Sequence, residues 1–154
     1  VGLVGSFGAS AADVDAGNYT GVKFGIGVDS VLNKTIPADY APTEPLANAS
    51  EYWEWRETYI FGKFEGRFKA NDGTITGYAY HPGTNELFRN LSFEKTIDLT
   101  AGIPANLDFT IDFGEIFKQG NGYIDIENNN ISHTGQDDLW LVTLLMNNLA
   151  EAVK

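Results

Sequence analysis

The segment from Tyr52 to Tyr80 constrains the fold more than any other part of the sequence. From Tyr52 to Ala70 (YWEWRETYIFGKFEGRFKA) aromatic residues alternate with polar ones over long stretches. A period of two belongs to a strand, whose successive side chains point to opposite faces. On that reading Tyr59, Phe61, Lys63 and Glu65 face one side, and Ile60, Phe64 and Phe68 the other. Asn71-Asp72-Gly73 supplies a tight turn, and Thr74 to Tyr80 (TITGYAY) returns as the hairpin partner.

The flanking sequence extends a β-rich pattern. Gly21 to Val28 (GVKFGIGV) reads as a glycine-rich strand, and the proline-bearing stretch Asp29 to Ser50 as a long ordered loop. Leu87, Leu91, Phe93, Ile97 and Leu99 suggest a strand after the His81-Pro82-Gly83 turn. Asn106 to Phe113 (NLDFTIDF) alternates most cleanly of all, with Leu107, Phe109, Ile111 and Phe113 inward. From Gln136 to Val153 the period changes: Leu139, Val142, Leu145 or Met146, Leu149 and Val153 recur at helical intervals, behind Asp137 and Asp138 at the N-terminal end. With no tandem repeat and no linker, the expected architecture is mainly β. It is a single β-sandwich-like domain over residues 1–154 with one C-terminal amphipathic helix.

Charge and cysteine content narrow the function. The formal net charge is −11 and the ten Lys and Arg residues are scattered, so the basic patch that a nucleic-acid binder needs is missing. A negative field suits the approach of cations. No cysteine is present, which removes disulfides, thiolate metal sites and cysteine nucleophiles. No apolar run approaches the ~20 residues of a transmembrane helix. Asn-x-Ser/Thr sequons at Asn18, Asn33, Asn48, Asn90 and Asn130 hint at export.

Several short motifs, taken in order, resemble the MbnP-like family of copper-binding proteins, Bacteroidetes-type members included. They are Gly17 to Val28 (GNYTGVKFGIGV), Leu32-Asn33, Pro45-Leu46, Tyr52 to Gly66 (YWEWRETYIFGKFEG) and Tyr80-His81-Pro82-Gly83. Asp108 to Phe117 (DFTIDFGEIF) and His133 ahead of the final helix complete the order. The resemblance runs from about Gly17 to the end. Thr58 stands where the family's pattern has a glycine. Family domains also begin with further strands, of which Val1 to Ala16 would be only the end; the chain is expected to lack these N-terminal strands, or to complete its sheet with a partner.

The resemblance implies an exported, non-enzymatic copper-binding protein, periplasmic or at the cell surface, and lipid-anchored through a missing N-terminus. The two histidines of the chain, His81 and His133, are the expected metal ligands, since imidazole is the softest strong donor present. Relatives carry a tryptophan oxidised to kynurenine that helps bind copper, and Trp53 and Trp55 are the candidates, their spacing placing both indoles on one face of an extended segment. An unmodified indole has only a donor N–H and cannot ligate. The implied modifying partner is a dihaem protein of the peroxidase type.

Each of these residues also has a plainer role. A histidine at a turn is usually solvated or satisfied, and a Trp-x-Trp pair is ordinarily core. Glu65 fits a hydrogen-bonding residue beside the site better than a ligand. Asp125 to Asn130 offers oxygen donors for calcium but lacks the spacing of a calcium loop, so copper is the expected metal and calcium the lesser one. Met146 belongs to the helix core. Asp137-Asp138 are adjacent and diverge, which does not make a glycosidase pair, and no nucleophile elbow occurs, so no catalytic residue is assigned. The alternative to copper capture is a non-catalytic interaction module, or lipoprotein subunit, of a bacterial outer-membrane or surface assembly without metal.

Overall fold

The computed structural model describes residues 14–117 and 121–154. Residues 1–13 of the expected N-terminal remnant lie outside that set. The domain is mainly β with a C-terminal helix, as the periodicity predicts. Strand β1 (Gly17–Ile26) pairs antiparallel with β6 (Arg89–Leu99), with a register shift between Tyr19 and Gly21. β2 (Tyr52–Trp53) and β3 (Thr58–Tyr59) form a small hairpin. β4 (Phe64–Lys69) and β5 (Ile75–Tyr80) form the hairpin expected around Asn71-Asp72-Gly73, where Gly73 takes a φ of 90°. β7 (Ile131–Ser132) adds to the free edge of β5 in parallel.

Two strand expectations are corrected. The long aromatic strand is broken, because Glu57 takes a left-handed φ of 53° and the chain reverses between Trp53 and Thr58. β4 begins only at Phe64, after Phe61 has given its N–H to the Pro82 carbonyl at 2.7 Å. The clean alternation of Asn106 to Phe113 survives as burial, with Leu107, Phe109 and Ile111 half-buried between exposed neighbours, but it builds no strand. Its pairing amounts to two Thr110–Lys154 backbone bonds of 2.8 and 2.9 Å, a longer one of 3.4 Å from the Asp112 N–H to the Ala152 carbonyl, and a single Ile111–Val153 bridge. Asp112 then accepts from Gly114 N–H at 2.9 Å, capping a helical turn, α1 (Phe113–Ile116), and Phe113 is left 48% exposed. Alternation orients side chains, but a strand also needs an edge to pair with.

The core is centred on helix α2 (Leu139–Ala152). Leu141, Val142, Leu145, Met146, Leu149 and Ala152 pack with Tyr80, Leu87, Ile116 and Ile124. The helix starts at Leu139 rather than Gln136, with Asp138 at the N-cap position but making no capping bond. Phe24, Phe93 and Phe109 form a second aromatic group, with ring centroids 4.9 to 5.7 Å apart. The proline-bearing loop is ordered through four short 3-10 turns between Leu32 and Glu51.

Burial of Tyr80 pushes its phenol up to about 12. The neutral phenol is thus favoured in the folded chain. Its stabilisation is fully present below the unfolded value of about 10 and is lost as pH rises through the folded one. Leu145 is fully buried among these residues. Leu145→Ala should lower unfolding free energy by about 2–5 kcal/mol in urea titration; a loss below about 0.5 kcal/mol, the usual surface value, would contradict a core centred on α2.

Candidate metal centre

The candidate ligands converge through strand register. In the parallel pair, Ala79 faces Ile131 and Tyr80 faces Ser132. One further step sets His81 opposite His133, and the His81 N–H donates to the Ser132 carbonyl at 2.8 Å to complete it. Opposed residues on neighbouring strands project from the same face about 4.8 Å apart. The imidazoles accordingly lie face to face, with centroids 4.7 Å apart and planes within 2°.

Glu65 meets His81 from β4, its Oε1 lying 2.7 Å from Nε2. An ionised carboxylate only accepts, so the proton of this bond sits on Nε2, and a neutral ring keeps its lone pair on Nδ1. The His81 side chain is 14% exposed and that of Glu65 57% exposed. His133 is exposed.

Trp53 comes from the β2–β3 hairpin, its ring 6.4 Å from that of His133. Its position follows from Gly83. A Cβ there would lie 2.6 Å from a carbon of the Trp53 ring and 2.8 Å from the Tyr59 carbonyl oxygen, so the indole needs glycine beneath it. Trp55 sits in the turn, 66% exposed, with its ring 5.6 Å from Trp53. The Arg56 guanidinium stacks 4.6 Å from the Trp55 ring and 5.9 Å from that of Trp53. The extended segment expected to carry both indoles ends at Trp53, with Trp55 in the turn; the two rings stay close, and only that of Trp53 approaches the histidines.

A buried polar hub that sequence reading named without a role fixes these parts together. Asn33, 5% exposed, accepts from Tyr59 N–H at 2.9 Å and lies 3.0 Å from the Thr58 hydroxyl, which also reaches the Gly83 carbonyl. Its amide donates to Asn85 at 2.8 Å. The Trp53 hairpin is thereby clamped to the His81-Pro82-Gly83 turn. Burial also removes Asn33 from the sequons accessible in the folded chain.

Among the described residues, no group of three or more His, Cys, Asp and Glu side chains gathers where it could hold a metal ion. The Asp125 to Asn130 segment is a polar turn: Asp125 accepts from the Glu127 and Asn128 N–H groups and from the Asn128 amide. Those bonds hold the Asp125 carboxyl below its usual range. Glu127 is engaged by Asn71. Met146 is fully buried in the α2 core.

The paired histidines at the end of the parallel ladder offer two imidazole donors on one face of a mainly β domain. Residues 7–135 match the family model described as MbnP, and the chain belongs to that family. The family is associated with copper. The matched span starts earlier than the motifs suggested and ends before α2, taking in Trp53, Trp55, Glu65, His81 and His133. Curated proteins and solved structures offered no match. No helix among the described residues is long and apolar enough to cross a membrane.

Gly83→Ala should displace Trp53, lower stability by about 1–3 kcal/mol and alter the near-ultraviolet circular dichroism of the aromatics. Unchanged stability and spectrum would contradict the packing of Trp53 on Gly83.

Proposed function

We propose that this protein is an exported, non-catalytic copper-binding protein that captures copper as cargo through His81 and His133. The observation that carries the reading is the in-register histidine pair, with imidazoles 4.7 Å apart on one face. Two neutral imidazoles suit Cu(I), which accepts low coordination numbers. The parallel rings can turn about their terminal torsions, which are broad, to share an ion. The net charge of −11 favours cation approach. Glu65 orients His81 by holding its Nε2–H.

Trp53 is the better candidate for oxidation to a ligating kynurenine, because its ring neighbours His133 and that of Trp55 does not. The modification opens the indole, takes up oxygen and releases the C2 carbon as formate, so it needs a peroxide or dioxygen oxidant used by an external enzyme, of the dihaem peroxidase type that the family resemblance implies. The product's aniline nitrogen would supply a third donor. A periplasmic or surface location, with or without a lipid anchor, fits this role.

Exposure of Trp55 beneath Arg56 favours a second reading, a metal-free interaction module of an outer-membrane or surface assembly, since exposed Trp and Arg often anchor interfaces. Competition for Cu(I) against a chromophoric chelator separates the two. Copper capture predicts one-to-one binding, weakened by orders of magnitude in both His81→Ala and His133→Ala. Binding indifferent to both substitutions would overturn it.

A further inference from the structure

We propose that Thr134 is a positioning residue that ends the β5–β7 ladder and so holds the ring of His133 over that of His81. Thr134 is the one β-branched residue among the described residues with a left-handed backbone, at φ 60°, and it is 2% exposed. A branched side chain is an outlier there, and such conformations persist only where surrounding bonds impose them.

The hydrogen bonds show what imposes it. In a parallel ladder a residue donates its N–H to one neighbour of its partner and accepts, at its carbonyl, the N–H of the other. His81 makes the first bond, to the Ser132 carbonyl at 2.8 Å. The second would come from the Thr134 N–H. That group is turned instead towards the Ser132 hydroxyl oxygen, at 3.3 Å. The Thr134 hydroxyl takes its place and donates to the His81 carbonyl at 2.7 Å. The side chain thus closes the last rung while the backbone turns away. His133 is held between a paired Ser132 and a pinned Thr134, although its own side chain is exposed. A continued strand would close the same rung with its backbone and carry the chain onward along β5. The left-handed turn lets it leave towards α2, and the hydroxyl preserves the register at the histidines.

The inference concerns the histidine pair, and only its second readout rests on the copper-binding reading. Three substitutions separate the hydroxyl from the backbone conformation. Thr134→Ser keeps the donor, Thr134→Val keeps the branched shape without it, and Thr134→Gly accepts the left-handed φ without it. The first readout is NMR of the histidine ring protons in the metal-free protein, where a parallel neighbouring ring shifts them upfield. Wild type and Thr134→Ser should share the stacked signature, and Thr134→Val and Thr134→Gly should lose it, the latter with a folded spectrum elsewhere. A signature retained in both latter variants would overturn the proposal. So would unfolding of Thr134→Gly, since Thr134 would then hold the fold rather than the pair. The second readout is Cu(I) affinity, expected to fall about 10–100-fold in Thr134→Val and Thr134→Gly and to be kept in Thr134→Ser; affinity kept in all three while the stacking is lost would overturn the proposed function and not the role of Thr134. A wild type that binds no Cu(I) but shows the hydroxyl-dependent stacking would overturn the proposed function and leave the role of Thr134 standing.

Discussion

The pairing of β7 with the edge of β5, closed by the His81 N–H donating to the Ser132 carbonyl at 2.8 Å, carries more of this structure than its length suggests. A parallel pair repeats at one fixed spacing and in one fixed register, so the first two rungs decide what the third must bring together. Shifting β7 by one residue would send His133 to the opposite face. The ring spacing of 4.7 Å is that of neighbouring strands. Backbone pairing sets the face and the spacing of the two imidazoles, and the Thr134 hydroxyl, donating to the His81 carbonyl at 2.7 Å, closes the rung beside them.

Buried polar groups keep the remaining parts in place. Asn33 joins the Tyr59 N–H and Thr58 hydroxyl on one side of the hairpin to Asn85 beyond Gly83. Its burial is tolerable because its donor and acceptor groups are both used. Gly83 makes room for the Trp53 ring, and the short β2–β3 hairpin delivers that ring beside His133. A hairpin of two-residue strands would not hold its position alone. The clamp to the His81-Pro82-Gly83 turn gives it one. Helix α2 supports the same region from below, through the fully buried Tyr80 that ends β5.

Much of this was legible in the sequence, for identifiable reasons. The β4–β5 hairpin announced itself through Asn71-Asp72-Gly73, and α2 through its apolar spacing, because both signals are local. The alternation of Leu107, Phe109 and Ile111 read the side-chain directions correctly and the strand wrongly, since pairing depends on which edge lies nearby. By spacing Trp53 and Trp55 are equivalent; they separate because β2 ends at Trp53, and Trp55 falls in the turn that ends with the left-handed Glu57. His81 and His133 stood out by scarcity and by motif, while their register depends on a pairing between distant segments. Thr134 carried no signal, because β-branched residues are poor in a left-handed conformation and nothing local marks an exception. The role of Asn33 was hidden for a related reason: in sequence it reads as a polar loop residue and a sequon.

Register brings His81 and His133 together, and their proposed role as a copper-binding pair has a direct test. X-ray absorption at the copper edge of the Cu(I)-loaded protein counts imidazoles directly through the outer-shell scattering of their rings. A copper-binding pair gives two imidazoles bound to one copper in the wild-type protein, and one in either single His→Ala variant that still retains metal. A wild-type spectrum with oxygen scatterers and no imidazole pattern would contradict it.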